Sequence, residues 1–419
     1  MKIAGAGMTV VVGICLAVLA VACGDEEEGG PTPEAKVPGI TDTEIIIGAH
    51  SPLSGAYGAV YAMIPRAQEA YYKYFNDTQG RVCGRNIVFK VEDDGYDPAK
   101  ALEVTKKLVE EDEVFAIVGA LGDHPHNGVW EYLNEKGVPD ILVSAGAHQY
   151  GADPEGHPWT VQMLSDYRYE GLGYGQYISA DLPGKKVATL YENQPFGLDG
   201  LAGVKVGLDS DKNELVSEQS YETTDVSVRS QISRMKNASA EVVILYTTPG
   251  FTAQAVKEAD RMGWHPQWIM SYVNSDPTMF QFVSPELLEG AITFQSYKMD
   301  DCTDDPAIAE HHRIMQEYGG PTPTNFTIYG QSQAELSLEI LSRACDNLTR
   351  KGLMEAVHSI KDWHSDLLLD GINITYSETD HTGLGDTYRV LRVAVEDGKG
   401  KWEYFGPLLY LEETSAIDE

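Results

Sequence analysis

Short apolar runs recur along the chain, each closed by a loop of small or polar residues and followed by apolar positions at helical spacing. The stretch from Val114 to Ala147 shows the grammar most fully. Val114 to Val118 carries no charge, as expected of a strand buried on both faces of a parallel sheet. Gly119 to Pro125 reads as a turn, with Asp123 placed to cap a helix whose apolar positions are Val129, Trp130 and Leu133 and which Gly137 ends. Ile141 to Val143 is the next strand, closing on Ser144, Ala145, Gly146 and Ala147. Two strand ends and one helix start therefore meet on one sheet edge, where open α/β sheets bind ligands.

The same alternation extends both ways. Ile45–Ile47 predicts a strand, Ala67, Ala70, Tyr71, Tyr74 and Phe75 a helix face, and Ile87, Phe89 and Val91 a second strand. Asp97-Pro98 supplies the cap and first-turn proline of the next helix. A second series begins near Ser165-Asp166, with strands expected at Lys186–Tyr191, Leu215–Tyr221, Val242–Tyr246, Gln267–Met270 and Ala291–Tyr297. Helices are expected between them, then at Ala307–Tyr318, at Asn325–Ala344 and from Thr349. Ile372–Tyr376, Tyr388–Val395 and Lys401–Phe405 alternate with period two between Gly/Asp turns, predicting an antiparallel addition. The fold class is α/β, with two successive units of similar grammar and hence two lobes.

The chain starts differently. Lys2, an apolar run from Ile3 to Ala22 and small residues before Cys23 make residues 1–22 a secretory signal. Leu19-Ala-Val-Ala-Cys23 resembles a bacterial lipobox, which makes Cys23 a lipidation site. Residues 23–39 are an acidic, Pro/Gly-rich tether unable to bury a core. The net charge of −33 repels nucleic acid and anionic headgroups. Cys83, Cys302 and Cys345 are an odd set for an oxidising compartment, allowing one disulfide whose pair the sequence leaves open.

Several chemistries lack their motifs. Neither GxGxxG after the first strand nor GxxxxGK[ST] occurs, and Gly119-Ala-Leu-Gly-Asp123 holds no serine or cysteine for a nucleophile elbow. Asp123, His124, His126 and His148 offer a carboxylate and imidazoles of the kind that hold zinc, so a metal-dependent hydrolase is one alternative; a polar pocket wall is the preferred account, with no metal or other cofactor. Tyr57, Tyr61, Tyr96, Phe196 and Phe251 follow strand ends, where aromatics line clefts.

Ser51-Pro-Leu-Ser-Gly55, Glu92-Asp-Asp-Gly-Tyr-Asp-Pro-Ala99, Tyr132-Leu-Asn-Glu-Lys-Gly-Val-Pro139, Pro158-Trp-Thr160, Tyr191-Glu-Asn-Gln-Pro-Phe-Gly197 and Leu348-Thr-Arg-Lys-Gly-Leu353 together carry a resemblance. The chain resembles a type I periplasmic solute-binding protein of the branched-chain amino-acid (Leu/Ile/Val-binding) family of ABC transporters, from about Ile40 onward. The resemblance implies two Rossmann-like lobes joined by three crossings: 40–164 plus 298–370 as one, 165–297 plus 371–419 as the other. It implies closure over a small solute, ABC permease subunits as partners, a monomer, and an extracytoplasmic location held by the N-terminal lipid. No bond is made or broken. A sensory protein that partners a membrane receptor is a second alternative.

The family's site, carried over by position, falls on residues that differ from its pattern. Asp123 stands where a small hydroxyl residue helps hold the ligand carboxylate, and Gly146, Ala147 and His148 stand for small residues and a threonine. Phe196 replaces a tyrosine, and Val273, beside Asn274 and Asp276, replaces the acid that pairs the ligand ammonium. The cysteine pair of some members falls at Tyr96 and Gly122. The expected ligand contacts are Tyr57, Tyr61, Asp123, His124, Ala145, Gly146, His148, Phe196, Thr247 and Asn274. An anionic Asp123 repels a ligand carboxylate. It takes the ammonium instead, with His148 on the carboxylate, or Asp276 swings in. Leucine, isoleucine and valine are therefore expected to bind poorly, and a polar amide, a cation or an aromatic compound better.

Overall fold

Five parallel strands, β1 (Glu44–Ser51), β2 (Asn86–Asp93), β3 (Ile117–Val118), β4 (Asp140–Val143) and β5 (Thr160–Gln162), form a sheet in the order β2-β1-β3-β4-β5. The computed structural model describes residues 36–385 and 387–411. The expected signal peptide, Cys23 and most of the tether lie outside the described residues, among which no helix is long and apolar enough to cross a membrane.

Residues Val114 to Val118 are wholly buried as their composition demands, yet only Ile117–Val118 is regular strand. Arg350, from a distant helix, donates to the carbonyls of Val114 (2.8 Å) and Phe115 (3.0 Å). Those carbonyls are thereby removed from the ladder. The helix after β3 is likewise broken into Asp123–His126 and Trp130–Lys136, the second ended by Gly137 at φ +61°. That left-handed cap suits a residue without a Cβ.

The second sheet contains β6 (Lys186–Glu192), β7 (Glu214–Tyr221), β8 (Val242–Tyr246), β9 (Gln267–Met270), β10 (Ile292–Gln295), β11 (Thr387–Glu396) and β12 (Lys399–Tyr410). Its order is β12-β11-β10-β9-β8-β6-β7, with β11 and β12 antiparallel to their neighbours and the rest parallel. The antiparallel addition is thus a two-strand extension of this sheet.

The chain crosses between the two halves three times. It leaves the first after β5 and returns after β10, where Ile308, Ile328, Leu353 and Val357 join the core of Ile45 and Ile47. It re-enters the second sheet at Thr387. Ile372, Ile374, Tyr376 and Leu384 pack in the first core, so this last passage comes later than the expected boundary at 371. Ile372–Tyr376 is not a strand: Ile374 makes isolated bridges to Trp363 and Leu384, and the Tyr376 hydroxyl donates to the Gln162 carbonyl at 2.7 Å. Period-two alternation here marks a buried loop.

The helix Tyr167–Asp181, absent from the sequence expectations, packs along the helix Pro195–Gly207 through facing glycines. A Cβ on Gly175 would lie 2.5 Å from the Gly207 carbonyl carbon, and Gly171 and Gly203 are closer still to the opposite backbone. Cys83 and Cys345 form the disulfide, joining the chain beyond helix Met63–Thr78 to the end of helix Asn325–Arg343. Cys302 is the free, half-buried thiol among the described residues.

Candidate functional site

β1 and β3 lead into the short helices Gly55–Tyr61, carrying Tyr57, and Asp123–His126, β4 leads into the loop Ser144–His148, and β6 and β8 end facing them with Glu192 and Thr247-Thr248. Asp123 was expected to cap a helix. Instead Gly122 occupies the cap position at φ +99°, where a Cβ would strike the Tyr96 ring at 2.6 Å. The Asp123 carboxylate turns to the neighbouring loop. Its Oδ1 accepts from the Ala147 N–H at 2.8 Å, and its Oδ2 accepts from the Tyr167 hydroxyl, on the opposite half, at 3.0 Å.

Glu192 ends β6 and is 1 % exposed. The Tyr221 hydroxyl donates to its Oε2 at 3.0 Å, while Oε1 is buried without a partner. Burial pushes the Asp123 carboxyl up to about 7, against the bonds from Ala147 and Tyr167. Burial also raises Glu192 to about 7, against the Tyr221 bond and with the Asp123 charge adding to the rise. Above these acids Tyr57 and Tyr96 stack with ring centroids 3.9 Å apart. Burial, then the charge of Glu192, pushes the Tyr57 phenol up to about 12, opposed by its hydrogen bond with Thr248. Phe196 meets Tyr167 edge-on at 4.7 Å. Beside this group Tyr61, Leu121, Tyr272, Val273, Phe326 and Tyr329 line a cavity of about 80 Å³.

At the rim, His148 belongs to a latch between the halves. Its N–H donates to Asp199 Oδ2 (3.0 Å), its Nδ1 lies 2.5 Å from Asp166 Oδ2, and Arg168 Nε donates to Asp199 Oδ1 (3.2 Å). Burial lowers the His148 imidazole, but Asp166 outweighs it and the net shift is upward. A wider depression of about 620 Å³ opens outside, bordered by His148, Asp166, Tyr169 and Asp380.

Of the expected contacts, Tyr57, Tyr61, Asp123 and Phe196 come together at the cleft. Ala145 is buried, and Gly146 supplies backbone: its carbonyl accepts from the Tyr167 N–H at 2.9 Å, and a Cβ there would meet Tyr272 Oη at 2.7 Å. The His124 ring lies 6.1 Å from that of Tyr96. Thr247 and Asn274 are wholly buried and braced through Thr252, whose hydroxyl is 2.5 Å from Thr247 Oγ1 and donates to Asn274 Oδ1 at 2.9 Å. Asp276 cannot swing in, because its Oδ2 accepts from the Phe326 N–H (2.9 Å) and its Oδ1 from Thr278 N–H (2.9 Å). The sequence expectations missed Glu192, Tyr167 and Tyr221. Glu192 stands in a motif read as loop, and its one available signal was an acid directly after the apolar run Val187–Tyr191.

The proposed metal cluster does not assemble. His126 is wholly buried, with Nδ1 3.0 Å from His50 Nε2 and Nε2 2.9 Å from Asp140 Oδ2, so both ring nitrogens are engaged. Among the described residues no three His, Cys, Asp or Glu side chains converge with metal-binding geometry.

This architecture, two α/β halves closing on a cleft crossed three times by one chain, is that of a binding protein. The sequence profile of the periplasmic binding protein family matches residues 44–400, and the chain belongs to that family. It is 27 % identical over 212 residues to a Leu/Ile/Val-binding protein homolog 1 of Brucella abortus (strain 2308), covering 48 % of this chain and 53 % of the relative. The chain thus spans about half the length of that curated relative. Its fold is similar to a fatty acid ABC transporter substrate-binding protein from Thermomonospora curvata, with a TM-score of 0.74, 22 % identity, and coverage of 91 % and 96 %. A branched chain amino acid ABC transporter protein from Thermus thermophilus with bound valine gives a TM-score of 0.75, 18 % identity, and coverage of 90 % and 98 %.

Proposed function

We propose that the protein is the extracytoplasmic solute-binding component of an ABC importer, held to the membrane by lipid on Cys23 and acting as a monomer. It captures a small organic solute between its halves and presents the closed form to permease subunits. It is not an enzyme. The observation that carries this reading is the pair of hydrogen bonds across the cleft, Tyr167 to Asp123 and His148 to Asp199. Such contacts form only when the halves meet, so a solute that touches both favours the closed state by its differential affinity. One neighbour above is a fatty acid transporter's substrate-binding protein and another has valine bound, which supports one fold serving chemically different solutes.

Mass spectrometry of small molecules released on denaturation tests capture, and small-angle scattering with the identified solute tests closure. A radius of gyration unchanged at saturation would count against the clamp. Cys23→Ala should move the protein from the membrane to the soluble extracytoplasmic fraction; a variant that stays membrane-bound after washing rejects the anchor.

A further inference from the structure

We propose that the cleft takes an organic cation without a carboxylate, its ammonium nitrogen between Asp123 and Glu192 and its compact apolar part in the cavity beside Tyr61. The proposal rests on the solute-binding reading and names the chemical class of that same site.

Two carboxylates from facing halves are nearly excluded from water, Asp123 at 4 % and Glu192 at 1 % exposure. Their recorded partners are neutral donors: Ala147 N–H and Tyr167 hydroxyl for one, Tyr221 hydroxyl for the other. Glu192 Oε1 is left buried with no partner, and a buried acceptor in that state demands a donor. Both acids act electrostatically on the Tyr61 and Tyr96 phenols, and the charge of Asp123 acts on Glu192. Tyr61 also lines the 80 Å³ cavity, together with Leu121, two residues before Asp123 in the chain.

Three donors beside the acids are already engaged. The Ala147 N–H and the Tyr167 and Tyr221 hydroxyls all serve the protein's own acids. An amino acid entering here would set a third carboxylate against two others in a low-dielectric space. An ammonium has the opposite fate. It donates to Glu192 Oε1 and to the remaining lone pairs of Asp123, and it faces the stacked rings of Tyr57 and Tyr96, whose π faces attract cations. Burial raises both acids in the empty site, and a cation that arrives between them favours their ionised form.

The test uses the full chain and five probes on one branched skeleton: 3-methylbutylammonium, 3-methylbutan-1-ol, 3-methylbutanamide, 3-methylbutanoate and L-leucine, compared by calorimetry at physiological salt. The ammonium is expected to bind at least about tenfold more tightly than each of the others, and Glu192→Gln to weaken it by about tenfold or more while leaving the alcohol within about twofold. Equal or tighter binding of leucine, the amide or the carboxylate overturns the cationic class and leaves solute capture standing. Ammonium binding untouched by Glu192→Gln also overturns it, as adsorption to an acidic surface. Binding by none of the five overturns the class too, and solute capture is then judged separately by the mass spectrometry above. The wild-type comparison does not depend on how well the variant folds.

Discussion

The Tyr167 hydroxyl donates to Asp123 Oδ2 over 3.0 Å, from the first turn of a second-half helix to a loop of the first half. The bond belongs to the closed arrangement, and in an open one both groups reach water. Tyr167→Phe should therefore weaken solute affinity by about tenfold, the worth of one hydrogen bond to a charged group. The urea midpoint should hardly move. A lowered midpoint with unchanged affinity would make the contact structural instead.

Stability should depend on pH through the two cleft acids. Both have folded values of about 7, above the ordinary carboxylate range, so the empty folded protein binds protons that the unfolded chain has released. Their stabilising contribution is complete below about pH 4 and is lost as pH rises through about 7. The loss is on the order of a few kcal/mol in total. Denaturant melts between pH 4 and 8 should show this slope, flattened in Asp123→Asn and Glu192→Gln. Equal slopes in wild type and both variants would remove these groups as its source.

A buried relay runs beneath the cleft loops. Asp94 Oδ2 lies 2.7 Å from His50 Nδ1, His50 Nε2 3.0 Å from His126 Nδ1, and His126 Nε2 2.9 Å from Asp140 Oδ2. All four ring nitrogens of the two imidazoles are thereby engaged in one continuous chain between two buried carboxylates. Asp94 also accepts from the Tyr96 N–H at 2.7 Å, holding that residue at φ +64° over the site. His126→Leu should cost about 1–3 kcal/mol, because the buried Asp140 carboxylate loses its imidazole partner and keeps the Thr160 hydroxyl. Chemical denaturation measures it; a loss below about 1 kcal/mol would mean that the relay is neutral and freely replaceable.

The thiols give a covalent check. In a chain truncated ahead of Lys36, a thiol reagent should label Cys302 alone in the native protein, slowly, because burial and then Asp301 raise its thiol. Reduction and denaturation should raise the count to three. Breaking the bond between Cys83 and Cys345, 262 residues apart, should lower stability by up to about 5 kcal/mol on the chain-entropy account. Three fast-reacting thiols in the native state would disprove the pairing.

How far these features were legible depended on where the information lay. Buried parallel strands such as Val242–Tyr246 declare themselves as uncharged runs, because both faces are covered. Helix Tyr167–Asp181 did not, because it is buried on most sides, has no apolar stripe, and uses glycines where a surface helix would show leucines. Asp123 was noticed as a misfit in a familiar position. Glu192 was not, because a carboxylate at a strand end looks solvated until the other half of the molecule covers it. Thr247 and Asn274 stood at loop tips, and only their mutual hydrogen bonding through Thr252 shows them turned inward.

The glycine contact between helices Tyr167–Asp181 and Pro195–Gly207 sets a dimension. These helices begin with the residues that face the cleft, Tyr167 on one and Phe196 on the other, and no side chain stands between their backbones along the seam. The two rings are therefore a single jaw of fixed gauge. Even Gly203→Ala would set a methyl 2.0 Å from the Arg168 carbonyl oxygen, next to Tyr167, and wedge the helices apart just behind the grip, with no change to any residue that touches a solute. Diversification of what the cleft holds is free to proceed at the tips, while the seam behind them tolerates nothing larger than a hydrogen atom.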